Sequence, residues 1–170
     1  ELYRVAKEDW VSGPGATILM APFTHPGESR FTDGTYGVYY AGDSLQTAIA
    51  ETKFHRERFL NASKETPCLL QMREYTTKVQ QSLVDITRGG FKKYCHPDPT
   101  QYSVSQAFGR ELKESREWGL LYPSVRMKGK NCVAIFRPPA LTIPVQGCHL
   151  DYIWDGNSIS EVRLSESIAS

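Results

Sequence analysis

A chain of 170 residues with 40% hydrophobic and 23% charged content is long enough to bury a real core, and reads as one globular domain over 1–170. The formal net charge of +1 carries no long-range signal for nucleic acid or an anionic surface, so any anion-binding charge has to be local. No apolar run approaches a membrane span and the start, ELYRVAKEDW, lacks the basic-then-apolar shape of a signal peptide, so a cytoplasmic protein without a membrane partner is expected.

In chain order, Leu2-Tyr3-Arg4-Val5 reads as a first strand, with Tyr3 and Val5 on one face and Arg4 on the other. Residues 11–29 are rich in Gly and Pro and read as a loop holding one short helical or extended piece at 16–20. Neither G-x-G-x-x-G nor G-x-x-x-x-G-K-[ST] occurs, which argues against Rossmann and P-loop nucleotide sites. Residues 37–41, Gly-Val-Tyr-Tyr-Ala, form a strand by β-propensity, with Val38 and Tyr40 on one face and Tyr39 and Ala41 on the other. Asp43 or Ser44 then caps a helix running to about Phe59, whose buried stripe is Leu45, Ala48, Ile49, Thr52 and Phe59. Thr47, Glu51 and His55 stack at i+4 beside that stripe. Such a line is either a solvated face with an incidental Glu–His pair or the rim of a pocket.

Residues 66–79 and 83–86 read as strands, and 88–101 as a loop whose His96 has no metal-like partner at ligand spacing. Ser103 caps a second helix to Trp118, with Val104, Ala107, Phe108, Leu112 and Ser115 inward, exposed i+4 charge pairs Arg110–Glu114 and Lys113–Glu117, and Gly119 as the stop. Residues 119–125 lead through a Lys128-Gly129-Lys130 turn to the almost wholly apolar strand 131–136, expected in the middle of a sheet. A hairpin around Asp155-Gly156-Asn157 joins 149–154 to 158–164, and 165–170 reads as a frayed tail. The four cysteines are widely spaced without C-x-x-C, which argues against zinc or a disulfide framework; Cys68 and Cys132 are expected to be buried reduced thiols. The sum is an α+β domain, two or three helices against a mostly antiparallel sheet, with no metal site expected.

The ordered set Arg30-Phe31, Val38-Tyr39-Tyr40-Ala41, Thr47-Ala48-Ile49-Ala50-Glu51 and Tyr122-Pro123-Ser124 resembles the RES domain family over roughly residues 2–136. The resemblance implies an ADP-ribosyltransferase-like fold with a split sheet, and a bacterial toxin of a toxin–antitoxin pair that consumes NAD as substrate without a metal. It implies Glu51 as the carboxylate supporting the ribose, Tyr40 as the ring beside nicotinamide, and Arg30 with Arg4 as phosphate grips. Ser124 becomes a polar contact to ribose or nicotinamide. Thr47 and His55 join the substrate-side set, a packed or solvated histidine being equally open. The implied partner is an Xre-like helix-turn-helix antitoxin.

NAD is a glycosyl donor because its bond from ribose to cationic nicotinamide breaks towards an oxocarbenium-like state, which a carboxylate stabilises electrostatically. Water, phosphate and a protein side chain, the last in a host protein, all stay open as acceptors. Protein-modifying transferases of this fold often carry a second Glu or Gln two residues before the catalytic Glu; Ile49 stands there and favours a small acceptor. The non-enzymatic alternative is a module that binds a nucleotide without turnover. Lys92, Lys93, Lys128 and Lys130 are scattered with no aromatic stacking platform, which argues against direct nucleic-acid binding.

Overall fold

The computed structural model describes residues 5–165. The strand read at 2–5 falls almost wholly outside the described residues, Arg4 with it, as does the tail from 166. The elements in order are α1 (Ala16–Thr24), β1 (Glu28–Ser29), β2 (Thr32–Asp33), β3 (Tyr39–Gly42), α2 (Leu45–Ser63), β4 (Cys68–Thr76) and β5 (Val84–Asp85), followed by α3 (Ser103–Glu114), β6 (Gly119–Pro123), β7 (Asn131–Ile135), β8 (Val145–Trp154) and β9 (Ile159–Leu164). The domain is α+β. Its strands split into a four-stranded sheet in the order β3-β7-β6-β5, a three-stranded sheet β4-β8-β9 and the small β1-β2 ribbon. Pairing is antiparallel throughout except between β5 and β6.

β7 lies inside the larger sheet because it is apolar on both faces: Cys132, Ala134 and Ile135 are buried. The predicted split across β3 is observed. Val38 and Tyr40 pack with Phe31, Tyr122 and Phe136 on one side, whereas Tyr39 packs with Leu19, Phe23 and Ile135 on the other. A third cluster joins α2 to the smaller sheet through Leu60, Leu150, Tyr152 and Trp154.

Ser44 caps α2, its hydroxyl accepting from the Thr47 N–H at 3.2 Å. Gly42 brings β3 against the first turn of α2, since a Cβ there would lie 2.9 Å from the Ala48 nitrogen. The helix runs one turn past Phe59, and Phe59 itself is exposed. Leu60 takes the inward place because it lies about 100° further round the helix, where the smaller sheet sits. Thr47 is fully buried rather than flanking.

α3 departs further from its expected face. Its buried residues are Ser105 and Gly109, while Val104 and Ala107 are exposed. The cause is close approach: a Cβ at Gly109 would lie 2.2 Å from the Phe31 carbonyl oxygen, so the helix packs through its smallest residue. α3 stops at Glu114, with Arg116 in the left-handed region (φ 59°), and Gly119 opens β6 instead of ending the helix. Arg110 reaches Asp33 and Lys113 donates to the Phe136 carbonyl at 3.0 Å, in place of the expected i+4 pairs. Cys132 is buried as expected, but Cys68 opens an edge strand and is exposed.

Candidate active site

A cleft of about 580 Å³ opens between α2 and the larger sheet. Ala48, Glu51, Thr52 and His55 line it from α2, Tyr40 from β3, Tyr122 from β6 and Cys132 from β7. Ser29 and Arg30 face it from the segment before β2, with Pro99 and Tyr102 beyond them. Three arginines, Arg30, Arg56 and Arg58, line it against two carboxylates, Glu28 and Glu51, so the positive charge is indeed local.

Glu51 projects from the second turn of α2, and its Oε1 accepts from the Ser124 hydroxyl at 2.6 Å. That hydroxyl itself accepts from the N–H groups of Arg126 (3.2 Å) and Met127 (3.0 Å), closing the turn after β6. With its lone pairs engaged by backbone donors, the hydroxyl proton is directed at the carboxylate. Ser124 is buried behind Glu51 and does not line the cleft, so its contact is with Glu51. The Cys132 thiol approaches the same Oε1 at 3.8 Å.

Arg30 is 6% exposed and forms no ion pair among the described residues. It donates to the His96 carbonyl at 2.5 Å and to the Tyr102 hydroxyl at 3.2 Å, and its guanidinium lies 4.6 Å from the Tyr102 ring centre. A guanidinium has five N–H donors, so these partners leave donors over. Tyr40 fixes the segment that carries Arg30: its hydroxyl accepts from the Phe31 N–H at 3.0 Å and shares a hydrogen bond with Ser29 at 2.8 Å. Burial pushes the Tyr40 phenol up to about 12, so it stays neutral.

The remaining expected site residues divide. His55 lines the cleft, stands edge-on to Phe54 at 5.2 Å and has no hydrogen-bond partner among the described residues. Desolvation lowers its pKa below the usual 6.5; the Glu51 charge opposes this and Arg126, Arg30 and Arg58 reinforce it. Thr47 faces away from the cleft, its hydroxyl donating to Asp43 at 2.7 Å. Tyr102, Tyr122 and Cys132 were not singled out from the sequence as site residues. Tyr122 carried a usable signal, because it stands in the Tyr122-Pro123-Ser124 set on which the resemblance rests. Among the described residues, no group of three or more His, Cys, Asp or Glu is arranged to hold a metal ion, and no helix is long and apolar enough to cross a membrane.

The arrangement sets a fixed carboxylate and a buried guanidinium on one cleft, able to stabilise a developing cation and to hold an anion. Residues 1–155 match the RES domain family. The chain is also 31% identical over 145 residues, 83% of its length, to the uncharacterized protein y4oC of Sinorhizobium fredii (strain NBRC 101917 / NGR234), and spans 59% of that relative. RES domains are toxin-like and are associated with enzymes acting on NAD and with toxin–antitoxin pairs. The chain belongs to the RES domain family.

Proposed function

We propose that this domain cleaves the bond between ribose and nicotinamide in NAD and passes the ADP-ribosyl group to water or inorganic phosphate, on a fold of the ADP-ribosyltransferase type. The observation that carries this reading is the pairing, in one cleft, of a Ser124-held Glu51 with a buried Arg30 that forms no ion pair among the described residues. Arg30 would take the NAD pyrophosphate with its spare donors, since the planar fork of guanidinium matches phosphate oxygens. The Tyr40 ring offers a neutral aromatic wall. As the glycosidic bond breaks, its electron pair goes to the nicotinamide ring nitrogen and positive charge builds on the ribose. Glu51 stabilises that charge, and an oxygen of water or phosphate forms the new bond to the anomeric carbon.

A small acceptor is favoured because Ile49, two residues before Glu51, packs toward the smaller sheet with Leu60 and Leu150 rather than lining the cleft. No carboxylate stands there to activate a protein nucleophile. In its host the domain would act in the cytoplasm as the toxin of a pair, with an Xre-like helix-turn-helix protein covering the cleft. Co-expression of that neighbour restoring cellular NAD supports the pairing; unchanged NAD loss refutes it.

The primary test is nicotinamide release by purified protein, wild type and Glu51→Gln, with and without phosphate. Release falling at least about a hundredfold in Glu51→Gln is the expected outcome, the scale for removing a preorganised charge-stabilising group. Phosphate dependence assigns phosphorolysis. Full turnover in Glu51→Gln overturns the reading. Label from NAD appearing on lysate protein moves the acceptor to a side chain, and tight NAD binding without release leaves a binding module.

A further inference from the structure

We infer that Cys132 is a positioning residue for Glu51: with Ser124 it holds one carboxylate oxygen so that the other is presented to the cleft. The inference rests on the reading of Glu51 as the reacting carboxylate. Two donors converge on Oε1, Ser124 Oγ at 2.6 Å from the end of β6 and Cys132 Sγ at 3.8 Å from β7. Oε2 accepts from no described residue. The last torsion of a glutamate side chain is broad and roughly two-fold, so a single donor leaves the plane of the carboxylate free to swing. A second donor from a different strand removes that freedom.

Neither donor can turn aside. The Ser124 hydroxyl is held by two backbone N–H groups, and Cys132 is 2% exposed on a strand flanked on both sides, directly opposite Tyr122 in register. The thiol also stays in its donor form. Burial first, and the Glu51 charge second, push its pKa up to about 12, so it keeps its proton at neutral pH. The protonated form suits donation rather than nucleophilic attack, which needs the thiolate. A protonated thiol is a weak, long-range donor, suited to steering an oxygen whose main bond is made elsewhere.

Infrared difference spectra of the full chain, wild type minus Cys132→Ala, isolate the Cys132 S–H stretch from the other three thiols. The expected band lies below the free-thiol position and moves back toward it in Glu51→Gln. A band at the free-thiol position that ignores Glu51 overturns the inference, whatever the protein does to NAD. A Glu51-dependent band in a protein that releases no nicotinamide retires the NAD reading and keeps the contact. Kinetics supply the second arm: Cys132→Ala lowers kcat about fivefold with KM for NAD unchanged, the scale of one weak hydrogen bond to a charged group. Cys132→Ser, which keeps a buried donor of similar size, recovers most of the loss. Equal losses in both variants, or a raised KM with kcat intact, refute positioning.

Discussion

A buried arginine, Arg30, and a half-buried one, Arg137, have opposite surroundings in this domain. Arg137, with its side chain 13% exposed, donates through Nε and Nη2 to Asp9 (2.7–3.0 Å), which is itself buried. The plane of Arg137 lies over Trp118 at 3.8 Å. Charge, fork geometry and stacking are all satisfied within the chain, so Arg137 ties the segment at Asp9 to the end of β7. Arg30 has an aromatic neighbour too, but a carbonyl and a phenol stand where a carboxylate would be. Burying a charge without a counter-charge is costly, and in the proposed function an anion outside the chain supplies it. One arginine is a finished joint; the other is half of one.

The sharpest way to break that contrast is to remove each guanidinium in turn. Arg30→Ala should lower kcat/KM for NAD about a hundredfold or more, mostly through KM, as for a lost bidentate phosphate contact, with thermal stability little changed. Arg137→Ala should cost about 3 kcal/mol of stability by stranding Asp9, with turnover per folded molecule intact; denaturant melts and active-site-normalised rates separate the two. Both variants losing the same property would erase the distinction.

A smaller effect sharpens it. Pyrophosphate or ADP-ribose should raise the melting temperature of the wild type, by the equivalent of about 2.7 kcal/mol at a hundredfold excess over Kd, and leave Arg30→Gln unmoved. The smallest expected effect belongs to His55. Its folded pKa lies below 6.5, so as pH falls the unfolded chain takes up the proton first, and stability is lost as pH drops through 6.5 toward the folded value. His55→Gln should flatten the melting curve's pH dependence between about pH 7 and 5. An anion beside Arg30 should raise the His55 pKa, read by NMR titration.

The parts of the fold legible in the sequence were those governed by local periodicity. Ser44 as a cap, the opposed faces of Tyr39 and Tyr40, the central place of β7 and the hairpin at 155–157 all depend on neighbours a few residues away. α3 was misoriented because its packing face is set by Gly109 against the Phe31 backbone, a contact 78 positions apart that no helical period encodes. Leu60 holds the buried place read for Phe59 for a related reason: α2 meets the smaller sheet on one side and the cleft on the other, and an apolar residue suits either. In the site, Glu51, Arg30, Tyr40 and His55 were read onto one cleft. Thr47 was not part of it, since its hydroxyl is engaged by Asp43, and Tyr102 and Cys132 enter only through tertiary packing.

The Ser124 hydroxyl does two jobs with one oxygen, closing the turn between β6 and β7 and steering Glu51. These jobs answer to different pressures in descent. A lineage that abandoned the chemistry would still need the turn and would keep its serine, whereas Glu51 caps no turn and would be free to drift. In a distant relative, serine at the position of 124 would therefore testify to the hairpin, and glutamate at the position of 51 to the proposed activity.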